Sequence, residues 1–173
     1  AITDASAWLI NQRMSASQRA ALIDDLFSKD RGIGLSMTRL TIGASDFSQS
    51  HYSYADVPGN PLADIAPART HLIPTLKTMR AINPQLKIIA TPWSAPAWMK
   101  TSGSLIKGRL KPENYGDIAR YLVSYTIAMR KAGVPIDMLT IQNEPHFEPE
   151  NYPGMRVEPA ERAAFISGHL GPM

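Results

Sequence analysis

The 173-residue sequence contains no cysteine. That excludes disulfides, thiolate metal sites and a thiol nucleophile, and it leaves the compartment open. The four histidines, His51, His71, His146 and His169, lack the paired spacing of a metal-binding helix, so no metal is expected. No apolar run is long enough to cross a bilayer, so no transmembrane segment is expected. The net charge of +3 comes from Lys and Arg spread over every segment rather than gathered into a stripe. Nucleic acid is therefore not an expected partner. Low-complexity tracts and internal sequence repeats are lacking as well. The chain opens on Ala1-Ile2-Thr3-Asp4, with neither an initiator Met nor a basic-then-apolar leader, so removal of an upstream segment is the expectation.

What is present is an ordinary globular composition, 44% hydrophobic and 19% charged, sufficient for one domain with its own core. Ser15-x-x-Gln18 is a capping-box signature, and Leu22, Ile23, Leu26 and Phe27 follow it at helical spacing until Gly32, predicting the first helix. Residues 34–42 read as a strand, with Met37, Arg39 and Thr41 on one face. A loop of roughly twenty residues, 43–64, leads to a second helix over 68–82 that ends at Asn83-Pro84. Residues 86–91 form an apolar strand, followed by Pro92-Trp93-Ser94-Ala95-Pro96-Ala97-Trp98 and a further loop. Pro112 opens a long helix whose stripe is Tyr115, Ile118, Ala119, Leu122, Thr126 and Met129, with Gly133 at its end. Met138-Leu139-Thr140-Ile141-Gln142 reads as a buried strand running into Asn143-Glu144 and stopped by Pro145. A last helix starts at Pro159 and breaks at Gly171-Pro172.

Helices alternating with apolar strands predict an α/β fold with a parallel sheet covered on both faces. The loops after strands are long and rich in aromatic and polar residues, while those after helices are short. All the long loops then lie at the C-terminal ends of the strands, which is the catalytic face of a (β/α)8 barrel. Such a barrel needs about 250 residues. The expectation is thus one partial TIM-barrel domain over 1–173, supplying about strands 2–4 with their helices. A small doubly wound sheet is the alternative, but no strand is followed by a Gly-rich phosphate turn.

A carboxylate at a strand tip is where a barrel places chemistry, so Glu144 is the first candidate; the bland reading is a solvated turn residue. Arg39 is either a structural ion-pair partner or a cation that orients a catalytic carboxylate. Asp46 is either an Asx turn or an acceptor for sugar hydroxyls. Trp93 and Trp98 are by default core residues, yet tryptophans in a polar loop suit the faces of sugar rings. Tyr52, Tyr54, Tyr115 and Tyr152 are ambiguous one at a time, and His51 and His146 read as loop residues. Glycoside hydrolysis needs two carboxyl groups, one of them kept protonated as the acid.

Several stretches, in order, resemble glycoside hydrolase family 30, the family of glucosylceramidases and β-1,6-glucanases. They are Ala1-Ile2-Thr3-Asp4-Ala5; Gly32-Ile33-Gly34 leading to Arg39; Ser45-Asp46-Phe47-Ser48 with Tyr52-x-Tyr54-Ala55-Asp56; Thr91-Pro92-Trp93-Ser94-Ala95-Pro96-x-Trp98-Met99-Lys100; and Gln142-Asn143-Glu144-Pro145. The resemblance implies a retaining β-glycosidase with Glu144 as acid/base and Asn143 touching a sugar hydroxyl. It further implies Arg39, Asp46 and Trp93 as pocket residues, and Tyr152 as a site tyrosine on a looser match. It implies no metal or organic cofactor, a β-glucoside, glucosylceramide or glucan as substrate, and an extracellular or periplasmic location. The family's nucleophilic Glu lies at the seventh strand. Glu148, Glu150, Glu158 and Glu161 follow Glu144 too closely to fill that place. The chain is therefore expected to lack the nucleophile, the remaining strands and the accessory β domain, and to be inactive alone. Its expected partner is the C-terminal half of the same barrel. An inactive carbohydrate-binding homologue and an unrelated α/β binding module are the competing readings.

Overall fold

The computed structural model describes residues 1–173. Five helices and three strands follow the chain: α1 (Asp4–Arg13), α2 (Ala16–Phe27), β1 (Met37–Ile42), α3 (Leu72–Ile82), β2 (Lys87–Pro92), α4 (Tyr115–Lys131), β3 (Met138–Leu139) and α5 (Pro159–Phe165). The strands form one parallel sheet in the order β1-β2-β3, with Arg39 beside Ile89 and Thr41 beside Thr91. Side chains alternate across a strand, so Leu40, Ile42, Ile88 and Ala90 point to the face that the helices cover. These four join Leu72, Leu76, Leu122 and Met129 in one buried core. Ile2 bridges Leu40 in parallel fashion and donates its amide to Arg39 O at 2.8 Å, so the N-terminus lies along the edge of β1 away from β2.

Three expectations change. The first helix is α1, not the one capped by Ser15. Its N-cap is Thr3, in a capping box with Ser6. Trp8, Leu9 and Ile10 run consecutively instead of recurring every three or four residues, and only Ala7 of the helix is buried, so its sequence carries no helical period. The second change is in α4, whose buried face includes Tyr121 and Tyr125 while Thr126 stays half-exposed. The Tyr125 ring stacks on Tyr54 at 5.6 Å, and the Tyr121 hydroxyl accepts from Tyr54 N, so the loop after β1 rests on α4 through tyrosines. The third is the strand expected to be buried over 138–142. Only Met138–Leu139 pairs as a ladder, Met138 is 38% exposed, and residues 139–141 are half-buried. β3 is the edge of the sheet, with β2 on one side only. The backbone nonetheless keeps close to β2 beyond the ladder, through Thr140 N to Ala90 O at 3.0 Å and Asn143 N to Pro92 O at 2.8 Å.

The loop after β1 leaves through Gly43, at φ +76°, where a Cβ would sit 3.0 Å from Tyr52 O. That close approach lets Ala44 N donate to Tyr52 O and folds the loop back on itself.

Candidate active site

Side chains from β1, from β2 and from the segment that follows β3 meet. Arg39, in β1, donates through Nη2 to Asn143 Oδ1 at 2.7 Å and through Nε to Thr91 Oγ1 at 3.2 Å. Its guanidinium lies over the Trp93 ring, 4.8 Å from the centroid. Thr91 also accepts from Thr140 Oγ1 at 2.8 Å. With Asn143 Oδ1 engaged by Arg39, its Nδ2 faces Glu144 Oε2 at 3.5 Å, a long contact. The result is a hydrogen-bonded chain from inside the sheet to the exposed carboxylate. No such chain could be read from a sequence in which Arg39 and Asn143 lie 104 positions apart.

Glu144 has φ 45°, in the left-handed region that a non-glycine residue rarely occupies. Such backbone outliers gather at functional sites, where the surroundings hold them. Here the holding contacts are Asn143 N on Pro92 O and Phe147 N on Glu144 O at 2.9 Å. Tyr152 comes from the loop after β3. Partial burial first, and then the negative charges of Glu144 and Asp46, hold its phenol above the usual tyrosine range. It is thus a neutral donor at neutral pH. Asp46 sits exposed on a short turn in which Ser45 Oγ accepts from Phe47 N and Ser48 Oγ accepts from Ser45 N. That turn is tied to α1, because Ser48 Oγ and Tyr52 Oη both donate to the Asp4 carboxylate, at 2.8 and 3.1 Å. The opening Thr3-Asp4 pair caps a helix and anchors the Asp46 loop.

Of the expected site residues, Arg39, Trp93, Asn143 and Glu144 are linked to one another at one end of the sheet, while Tyr152 feels the charges of Glu144 and Asp46. The two tryptophans part company. Trp93 carries Arg39 on its ring, whereas Trp98 donates its indole N–H to Ala55 O at 2.9 Å and packs on the core. Tyr54 is core, and Tyr115 packs edge-on against Phe165. The other acidic side chains nearby are already engaged. Glu148 accepts from Gly108 N, Glu150 from Lys107, Glu158 from Arg109 and Arg156, and Glu161 from Arg109 and Glu158 N. His146, exposed, lies between Glu158 and Arg162. No three His, Asp or Glu side chains converge in a way that could hold a metal ion. Sequence reasoning missed the supporting polar residues Thr91, Thr140 and Gln142. Gln142 donates to Trp93 O at 2.7 Å and to Met155 O at 3.3 Å, joining the loops that carry Trp93 and Tyr152. Spacing gave no signal for these; only the parallel register puts Thr140 next to Thr91.

The sequence pattern of the glycosyl hydrolase family 30 TIM-barrel domain matches residues 1–173. The chain belongs to glycosyl hydrolase family 30. Among family 30 relatives, the endo-1,6-β-D-glucanase neg1 of Aspergillus fumigatus is 35% identical, over 99% of this chain and 39% of its own length. The lysosomal acid glucosylceramidase of Mus musculus is 32% identical, over 99% of this chain and 36% of its own length. The solved structure of the endo-β1,6-glucanase BT3312 superposes with a TM-score of 0.92 at 34% identity, over 99% of this chain and 39% of that one. The three-stranded sheet is thus part of a family 30 TIM barrel, and the chain spans about two fifths of the length of its relatives. No helix is long and apolar enough to cross a membrane.

Proposed function

We propose that this chain is the part of a retaining β-glycosidase barrel that carries the general acid/base, Glu144. The substrate is an O-linked β-glucoside such as glucosylceramide or β-1,6-glucan. The observation that supports this most is the run from Thr140 through Thr91 and Arg39 to Asn143, which holds an amide beside the Glu144 carboxylate at a strand end. In this reading Asn143 and Asp46 take sugar hydroxyls, Trp93 offers its ring edge to the sugar, and Arg39 holds Asn143 in register. Tyr152 donates a hydrogen bond toward the carboxylates. No metal or organic cofactor is needed.

A retaining enzyme uses two carboxyl groups about 5–5.5 Å apart, one as acid/base and the other as nucleophile. Since Glu148, Glu150, Glu158 and Glu161 are engaged elsewhere, the nucleophile belongs to a part of the barrel outside these residues. The remaining strands and an accessory β domain lie there too, and they are the partner of this half. The location that goes with this reading is extracellular or periplasmic. The test is the stereochemical course of hydrolysis by the full-length polypeptide, followed by proton NMR on a β-1,6-linked glucose oligomer and on glucosylceramide. Release of glucose first as the β-anomer is the expected result. First release as the α-anomer, or no hydrolysis of any β-glucoside, would overturn it.

A further inference from the structure

Lys100 is fully buried, with a relative exposure of 0%. Its ammonium touches no carboxylate. It donates instead to three neutral oxygens: Ser94 Oγ at 2.7 Å, Leu105 O at 2.8 Å and Gly154 O at 2.9 Å. Burying a charge against neutral acceptors is unfavourable, and burial pulls the ammonium down to about 7 while the more distant Glu148 pushes back. An apolar side chain of the same length would fill the space without that penalty. What the charge adds is geometry, since one atom fixes three loop segments at once. Ser94 is the neighbour of Trp93. Gly154 stands two residues from Tyr152, and a Cβ there would lie 2.4 Å from the Pro149 ring, so that loop has little room to shift. Leu105 O accepts from Gly154 N at 3.0 Å as well as from Lys100, which closes the clamp.

We propose that Lys100 is a positioning residue for the glycosidase site: its ammonium clamps the Trp93 loop to the Tyr152 loop and so sets where the Tyr152 hydroxyl stands relative to Glu144. This rests on the proposed function above. Gln142 is a second tie between the same loops, through Trp93 O and Met155 O, so losing Lys100 loosens the pair rather than freeing it.

The test is a double-mutant cycle in the full-length polypeptide, reading kcat/KM on a β-glucoside alongside the melting temperature. Lys100→Met and Tyr152→Phe are each expected to lower kcat/KM about tenfold, and together still about tenfold, because both act through one hydroxyl. A purely structural lysine gives independent losses, so a double variant down about a hundredfold would overturn the clamp. An unchanged kcat/KM in Lys100→Met would also overturn it. Should Lys100→Met not fold, Ser94→Ala, which removes one acceptor of the clamp, carries the same cycle: non-additive losses with Tyr152→Phe support the clamp and additive ones overturn it. Glu144→Gln made in parallel separates the two claims. Full activity in that variant overturns the proposed function and the clamp with it. An inactive Glu144→Gln beside an additive cycle overturns the clamp alone.

Discussion

On the helix-facing side of the sheet, Leu40 and Ile42 are 1% exposed and Ile88 and Ala90 0%; on the opposite side Met37 and Met138, at the strand starts, are 49% and 38% exposed, while Thr41 and Thr91, nearer the C-terminal end, are 2% and 0%. The same strands supply both faces, one residue out of phase. The covered face is held by packing against α3 and α4. The open face is held mainly by polar side chains near its C-terminal end, where Arg39, Thr91, Thr140 and Asn143 bond to one another. In a closed barrel the open face is the interior, filled by layers of side chains from all the strands. Stability and chemistry are therefore divided in this chain: the helix side keeps the fold, and the proposed catalytic groups stand on the face that the rest of the barrel covers.

The division leads to the largest expected effect. With the nucleophile outside these residues, as proposed, the 173-residue chain alone should hydrolyse no β-glucoside, because a glycosyl-enzyme cannot form without a second carboxylate. A fluorogenic β-glucoside assay on material of confirmed intact mass checks this. Turnover that disappears in Glu144→Gln would mean that these residues contain a nucleophile of their own. Adding the complementary half of the barrel should restore some activity, as the exposed Met37 and Met138 face becomes covered.

Next in size is the contrast between the faces themselves. Leu40→Ala should cost about 2–5 kcal/mol of stability, since it opens a cavity in a filled core. Met37→Ala in the same chain should cost less than about 1 kcal/mol, because that side chain has little packing to lose. Urea titration of the two variants decides the matter, and equal losses would dissolve the distinction. Trp93→Ala straddles the boundary. Trp93 is only 9% exposed, so removal of its ring should lower the melting temperature as well as weaken sugar binding in the full-length polypeptide.

A smaller effect concerns pH at the opposite end of the sheet. Burial works against the charge of Asp137, but the Ile88 amide, Lys87 and Arg80 outweigh it and hold its carboxyl below the usual range. A depressed carboxylate stabilises the fold at pH above its unfolded value, near 4, and that contribution is lost as pH falls through the lower folded value. Asp137→Asn should therefore be less stable than the parent at pH 7, with the gap closing below about pH 4. Denaturation at the two pH values measures it; a gap that widens in acid would contradict the assignment.

Much of this was legible in the sequence because apolar periodicity reports burial. β1, β2, α2 and the span of α4 follow from it, and Pro112, Asn83-Pro84 and Gly133 mark ends that the structure keeps. α1 was not legible, since it buries a single alanine and has no period to show. The apolar content of 138–142 reads as a buried strand. Burial there depends on a neighbouring strand, which the local sequence does not report. At the site, residue types and strand-end positions pointed to Glu144, Arg39 and Trp93. The contacts that tie them were not legible, because Arg39 meets Asn143 only through the parallel register of three strands. Lys100 was hidden for a different reason: a lysine in a polar loop reads as surface, and nothing local shows that three carbonyl and hydroxyl oxygens surround it.

The role of Glu144 is tested most directly by Glu144→Gln in the full-length polypeptide, assayed on a natural glycoside and on an aryl β-glucoside with an activated phenol, with and without azide. The account predicts a loss of about 10²–10⁴-fold on the natural glycoside, which needs a proton on its leaving oxygen. It predicts a smaller loss in the glycosylation step of the aryl substrate, which needs none, and β-glycosyl azide as the product when azide is present. Parental turnover of the natural glycoside by Glu144→Gln would contradict it.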